Sequence, residues 1–372
     1  MKIVANYSPS IELKHLDEIL FCPTQTSRHG VMPFEDMLPA LNSIKAKKVL
    51  VWDILMVQKD FDTAKAFIEK IDIQLFDAIR VQDLGALEYL KVHFPHIPVQ
   101  FNAETGYHNA KSLAALCESH DKLEKIIVSL ELSKTKLSEI MQVLDKYSVR
   151  FEIMVIGPLL LFYTPRSLLS PHFNKNADGF ITVTGKSEET PHKGFRIIEN
   201  QHGTFMFHPK DHLLLDYLDE IEKIGIKDIR VDSNDLYKNA VDYINNRDPK
   251  DLEKIKTSRP HIKGYFNVNK SDALFSKLKN KHFLKKEDGF VGEVLSSQKE
   301  SYLAIKILKD GLKIGAPIRI VTPEGKEKRV TIKKLWNSRG DKLQSSTKGS
   351  LAFIDFVKGV SKRSFVYNNQ RP

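Results

Sequence analysis

From Met1 to about Asn245 the chain alternates short β-branched runs with longer amphipathic stretches. The runs predict strands at Lys2–Ala5, Glu18–Phe21, Lys48–Trp52, Asp77–Val81, Pro98–Phe101, Glu124–Val128, Phe151–Val155, Phe180–Val183 and Asp228–Val231. Between them, apolar residues at helical spacing predict helices at Thr63–Ile71, Leu84–His93, Ala110–Glu118, Lys136–Lys146 and Leu213–Ile224. In the last of these Leu214, Leu218, Ile221 and Ile224 recur every three to four residues. Gly225 stands where a helix-ending glycine belongs. Eight or nine alternations of this kind indicate a parallel α/β fold, and the count suits a TIM-like (β/α) barrel over residues 1–247 better than an open sheet.

The pattern then changes. Residues 248–284 read as a polar connector with some helical content, punctuated by Pro260 and Gly264. After it come short strands with turn signals at Gly289–Leu295, Tyr302–Ile307, Pro317–Val321, Lys328–Leu335 and Ala352–Phe356, with Pro323-Glu324-Gly325 as a hairpin turn. Five strands over residues 285–372 predict a small C-terminal β-barrel, of the kind found in translation factors and RNA-binding modules.

Charge separates the same two regions. The net charge is +10, and residues 285–372 hold 19 Lys and Arg against 9 Asp and Glu, while the other 284 residues hold 38 of each. A neutral body with a basic appendage points to a polyanion partner such as RNA; a merely solvated basic face is the plainer reading. Lys326, Lys328, Arg329, Lys333, Lys334 and Arg339 are the candidate backbone contacts, with Trp336 available for stacking. No apolar stretch is long enough to span a membrane, and the N-terminus has no signal-peptide pattern, so a cytoplasmic protein is expected. With only Cys22 and Cys117, neither a disulfide framework nor a four-cysteine metal site is encoded.

Several stretches match one family in order and spacing. Arg80-Val81-Gln82-Asp83-Leu84-Gly85 resembles a strand ending in Q-D-L-G, and Pro95-His96-Ile97-Pro98 resembles the P-D-I-P entry that follows it. Ser129-Leu130-Glu131-Leu132-Ser133 resembles R-E-L-S. The run from Gly157 to Ser170 resembles the signature G-A-L-C-x-x-Y-S-G-R-C-L-L-S; Pro209-Lys210-Asp211-His212-Leu213 resembles S-K-D-L-C, and Arg230-Val231-Asp232 resembles K-I-E-G-R. These are features of the peptidase U32 family, and the resemblance runs along nearly the whole chain, the basic β-module included. It implies a barrel with a C-terminal β-module. It also implies either a collagenase-like peptidase activity or a part in hydroxylating a tRNA or rRNA base or a quinone precursor, which in relatives involves a cysteine-held iron–sulfur cluster. This chain departs from that pattern at the cysteines. Signature cysteines fall on Leu160 and Ser167, the S-K-D-L-C cysteine falls on Leu213, and Asn174–Arg196 supplies no replacement. Leucine cannot coordinate iron, so no family-type cluster and no other cofactor is expected.

Three readings follow: an RNA-modification protein without a cluster, a hydrolase, or a catalytically inactive protein that acts by binding a protein partner or paralogue. A hydrolase needs an activated nucleophile. Ser129, Ser133, Ser167 and Ser170 are available, but G-x-S-x-G, S-x-x-K and H-E-x-x-H are absent. Glu131, Arg166, Lys210, Asp211 and Asp232 keep the charge type of the family pattern and fall near strand ends, so they are the candidate catalytic set. The competing role for them is an ion-pair network that holds the barrel mouth in register. His208 and His212 stand four apart, with His172, His192 and His202 nearby. His208-Pro209 opposes a helix that would put both rings on one face, and no metal is assigned.

Overall fold

The computed structural model describes residues 1–12, 14–176, 179–186, 193–267, 289–323 and 326–368. The chain divides into two compact units, Met1–Lys270 and Ser271–Pro372.

In the first unit seven strands run in sequence around a barrel: β1 (Lys2–Asn6), β2 (Glu18–Phe21), β3 (Lys47–Trp52), β4 (Ala78–Val81), β5 (Val99–Asn102), β6 (Leu123–Ile127) and β7 (Arg150–Gly157). The chain then leaves the barrel for β8 (Leu160–Thr164), β9 (Ile181–Lys186), β10 (Lys193–Asn200), β11 (Gly203–Phe207) and β12 (Asp211–Leu213), and returns with β13 (Asp228–Val231). β13 pairs in parallel with both β1 and β7, which closes eight parallel strands into a TIM-like barrel. Around it lie α1 (Phe34–Ser43), α2 (Gln58–Lys70), α3 (Leu84–His93), α4 (Ala110–Ser119), α5 (Lys134–Leu144), α6 (Leu218–Ile224), α7 (Tyr237–Asn246) and α8 (Pro249–Ser258). Local chemistry starts and stops several of them. The side chains of Asp83, Asn109 and Ser133 accept from backbone N–H groups in the first turns of α3, α4 and α5. Gly225 ends α6 in the left-handed conformation expected of it.

Alternation along each strand sorts the core into two layers. Ile3, Ala5, Ile19, Phe21, Leu50, Trp52, Ile79, Val81, Phe101, Ile126, Ile153 and Ile229 face the helices in one large apolar cluster. The opposite faces point into the barrel, where Val4, Leu20, Val49, Val51 and Ala78 form only a small apolar cluster. The remaining interior is charged. Lys125 Nζ lies 2.6 Å from Glu18, 3.2 Å from Glu152 and 2.8 Å from Asp228, all fully buried. Arg80 forks onto Glu152 at 2.6 and 2.8 Å and onto the amide oxygen of Gln100. Arg150 ties Glu18 to Asp228 at the end from which the strands start. Burial opposes the charge on Glu18 and Glu152, but Lys125 on the first and Arg80 with Lys125 on the second hold both carboxyls at about 2.

Two expectations give way here. The Phe180–Val183 run falls at the start of β9, outside the barrel, where β8 to β11 form a four-stranded antiparallel sheet in the order β8-β11-β10-β9. Leu213–Ile224 is not one helix. Leu213 ends β12 against β7, a short 3-10 turn follows at Leu215–Tyr217, and α6 begins only at Leu218, because Leu213, Leu214 and Leu215 are all buried and a single helix face cannot bury three consecutive residues. The helical content of the connector is α8, which with β14 (His261–Ile262) belongs to the first unit; β14 pairs with β12.

The second unit is an antiparallel sheet of β15 (Phe290–Gln298), β16 (Tyr302–Ile307), β17 (Pro317–Val321), β18 (Glu327–Thr331), β19 (Leu335–Asn337), β20 (Leu351–Asp355) and β21 (Phe365–Asn368), in the order β18-β17-β21-β15-β16-β20-β19. Lys328–Leu335, one strand by its sequence pattern, is split between the two edge strands. Residues 332–334 alone join them, a link of at most ~14 Å. A flat sheet of this width would separate its edges by about 29 Å, so the sheet is rolled into a barrel-like body around Val294, Leu303, Ile305, Ile318, Leu335 and Ile354. Glu324 and Gly325 of the expected hairpin turn lie outside the described residues.

Lys125→Ala should destabilise the first unit by about 3–5 kcal/mol, because it leaves three carboxylates buried beside one another. Denaturant titration checks this. Acid should act through the same groups: Glu18 and Glu152 are depressed from 4.5, so the stability they contribute is complete above about pH 4.5 and is lost as the pH falls towards 2. Asp228, raised by burial, takes its proton earlier and offsets part of that loss.

Candidate functional site

The strand ends that open towards the βα loops carry a second charged cluster. Asp53 follows β3, Glu104 follows β5, Arg230 lies in β13, and Arg28 comes from the loop after β2. They form a chain of alternating sign. Arg28 Nε is 3.0 Å from Asp53, Arg28 Nη2 is 3.0 Å from Glu104, and Arg230 Nη2 is 2.5 Å from the other Glu104 oxygen. Arg230 Nη1 stands 3.8 Å from Glu152, which joins this cluster to the ladder below. Burial acts to raise the Glu104 carboxyl, but Arg230 and Arg28 outweigh it and hold the group at about 2.

The β8–β11 sheet fixes the loop that carries Arg28. Asn200 Nδ2 donates to the Arg28 carbonyl at 2.9 Å, and His202 Nε2 lies 2.6 Å from the Thr24 carbonyl. Tyr163 stacks on Phe205 with centroids 4.5 Å apart, and its hydroxyl donates to the His202 carbonyl and accepts from the Leu55 N–H. The loop closes tightly on itself: a Cβ at Gly30 would sit 2.7 Å from the Pro23 carbonyl, so only glycine fits there.

Asp232, just beyond β13, differs from the other carboxylates at this mouth. Asp53 and Glu104 are held by arginines, whereas Asp232 is half-buried and accepts at 2.6 Å from the side-chain amide of Asn6; no ion pair holds it among the described residues. Burial pushes its carboxyl up, with Glu104 and Asp211 adding to the shift and Arg230 only partly opposing it. A Cβ at Gly157, the first residue of the signature stretch, would lie 2.8 Å from Asp232 Cβ, so glycine there lets β7 end against Asp232. Cys22, beside Asn6 at 3.8 Å, is pushed up to about 12 by burial and by Asp53 and Asp232, so its sulfur is a thiol at neutral pH. The mouth therefore offers a carboxylate with free acceptor capacity, a fixed amide and a protonated thiol, while its arginines are already neutralised.

The profile of peptidase family U32 matches residues 31–273. The chain belongs to peptidase family U32. Escherichia coli (strain K12) tRNA hydroxylation protein P is 20% identical over 331 residues, covering 72% of this chain and 71% of its own. The protein of the same name from Haemophilus influenzae is 19% identical over 352 residues, covering 77% and 75%. Among solved structures, the C-terminal domain of a candidate U32 peptidase from Geobacillus thermoleovorans covers 22% of this chain and 93% of its own, at 14% identity and a TM-score of 0.21, too low to carry an argument.

Within this U32 chain the candidates read from the sequence scatter. Only Asp232 lies in the mouth. Asp211 is half-buried and pairs with Arg259 at 2.9 Å. Arg166 and Lys210 are exposed, as is Glu131, which stands 3.9 Å from His108. Ser129 and His108 do meet, at 3.0 Å, but Ser129 is buried and Glu131 faces the same ring nitrogen, Nε2. A Ser-His-acid relay needs the acid on the opposite nitrogen. Leu213 sits in the main apolar core and Leu160 is half-buried on β8. The donor set does not fit a cysteine-held cluster, since Cys117 lies on α4 and Cys22 in the barrel interior. His212 is buried against Gly264, and burial depresses it to about 4; His192 lies outside the described residues. Among the described residues no group of three or more His, Cys, Asp or Glu side chains is placed to hold a metal, and no helix is long and apolar enough to cross a membrane. Lys326, Lys328, Arg329, Lys333, Lys334 and Arg339 are all exposed, and Trp336 is half-exposed on β19.

Sequence reasoning missed Arg28, Asp53 and Glu104 because all three lie in or beside loops, outside any motif. Asp232→Asn should change stability by less than about 1 kcal/mol, since the amide keeps the shape and removes a charge that burial opposes. Glu104→Gln should cost about 1–3 kcal/mol, because it leaves Arg28 with Asp53 alone and Arg230 with Glu152 alone at 3.8 Å. Paired denaturation curves check both, and a large loss in Asp232→Asn would make that carboxylate structural.

Proposed function

We propose that this protein takes part in hydroxylation-type modification of tRNA, engages the RNA through its second unit, and works in the cytoplasm without an iron–sulfur cluster. The observation that carries the reading is the pair of relatives named tRNA hydroxylation protein P, each matching more than two thirds of the chain. Two features support it. The excess of positive charge is confined to residues 285–372, and six of its basic side chains stand exposed on and beside β18 and β19, as phosphate contacts must. Asp232 is the one member of the catalytic candidate set that the proposal places at the substrate, because it alone has unused acceptor capacity at a barrel mouth. Leu160, Ser167 and Leu213 stand behind the cluster-free part of the proposal.

A second reading is favoured by a specific observation: Leu213 is core, and both mouth arginines are neutralised by carboxylates. On that reading the chain is a catalytically inactive binding partner of another protein.

The test is mass spectrometry of nucleosides from total tRNA of wild-type, deletion and complemented strains. A hydroxylated nucleoside should disappear in the deletion and return with the intact gene, but not with Asp232→Asn. An unchanged profile in the deletion removes the tRNA proposal. Return of the nucleoside with Asp232→Asn would leave the inactive-partner reading ahead. Protein purified without oxygen should contain no stoichiometric iron or sulfide; finding both would contradict the cluster-free part.

A further inference from the structure

The outer face of the second unit carries a feature that charge alone does not explain. β19, β20 and β16 are adjacent, and alternation sends Leu335, Ala352, Ile354, Leu303 and Ile305 into the core. The opposite face therefore carries Trp336, Phe353 and Tyr302. Trp336 is directly opposite Phe353 in the β19–β20 register. Their rings are 6.3 Å apart and within 18° of parallel, and Tyr302 meets Phe353 edge-on at 5.3 Å. All three are partly buried, with some ring surface left to solvent. None of the three rings belongs to the core cluster beneath them.

Most of the basic side chains around the row lie on and beside β19. Lys342 forms a bridge opposite Trp336 and so shares its face; Lys333 and Lys334 immediately precede β19, and Arg339 lies in the turn after it. All four are exposed, as is Lys306, which follows Tyr302 and Ala304 on the same face of β16. The one carboxylate on this face of these strands, Asp355, stands opposite Tyr302, at the far end from Lys342. A polyanion is thus drawn to the Trp336 end, while the rings offer flat apolar surface beside it.

We propose that Trp336, Phe353 and Tyr302 form a stacking platform for unpaired bases of RNA, whose phosphates follow Lys342, Lys333, Lys334 and Arg339. The proposal rests on the RNA reading above and deepens it, by making single-stranded RNA, such as a tRNA loop, the preferred form. Base–aromatic stacking needs bases that are not already stacked in a duplex, whereas phosphate contacts accept either.

The test uses the full-length protein and two probes, a mixed-sequence single-stranded oligoribonucleotide and a duplex of equal length. Trp52 is fully buried in the first unit, so Trp336 is the tryptophan a ligand can reach and quench. Single-stranded RNA should bind about tenfold or more tightly than duplex and quench Trp336 emission; Trp336→Ala and Phe353→Ala should each weaken it by roughly tenfold. Trp336→Tyr keeps a π face and should restore most of the affinity, which separates stacking from misfolding. If neither RNA binds, the RNA reading itself fails. If RNA binds with equal strength in both forms, without quenching, and only lysine substitutions weaken it, the RNA reading stands and the platform is overturned. Quenching by polyglutamate as strong as by RNA would overturn it too, since carboxylates bring charge without a base.

Discussion

Everything in the first unit hangs on Lys125. Its ammonium lies inside the barrel within 3.2 Å of three carboxylates from three different strands, β2, β7 and β13. An ammonium and carboxylates taken out of water are stable only when each finds its counter-charges, so this contact sets which strands must be neighbours and in what register. Arg80 and Arg150 complete the neutralisation on either side. Glu152 then passes the pattern upward to Arg230, Glu104, Arg28 and Asp53. Structural and candidate functional charges belong to one ladder that runs the length of the barrel. At its upper end Asp232 forms no ion pair with an arginine among the described residues.

That arrangement explains why the sequence revealed the strands and hid the site. Ile79 and Val81 face the helices, so the β4 run reads plainly as a strand, and the same holds for β1, β2, β3, β5, β6, β7 and β13. The residue between them, Arg80, reads as a solvent-facing charge, although it is among the most buried large side chains. A barrel interior lined with ion pairs has the same period-two pattern as a half-exposed sheet, and nothing local distinguishes the two. The loop residues Arg28, Asp53 and Glu104 carry even less signal, because their partners are up to 126 positions away along the chain. Where pattern failed outright, at Leu213–Leu215, a run of buried leucines met the geometry of a strand end followed by a tight turn.

The second unit was legible in a different way. Its excess charge is a sum and survives any error in strand boundaries, whereas the edge strands β18 and β19 were merged because Lys328–Leu335 contains no turn residue. The aromatic row was invisible because Tyr302, Trp336 and Phe353 are far apart in sequence and meet only through the strand order β16-β20-β19. The two units thus differ in kind: one holds a charge-balanced barrel with Asp232 at its mouth, and the other presents a basic surface with an aromatic row.

The central claim, that RNA and specifically tRNA is what this U32 protein engages, is tested most directly by ultraviolet crosslinking of the full-length protein in cells. The bound RNA is sequenced and the crosslinked peptides are mapped by mass spectrometry. tRNA should dominate, with crosslinks on peptides between Tyr302 and Asp355. Absence of RNA enrichment over an unirradiated control, or crosslinks confined to the first unit, would contradict it.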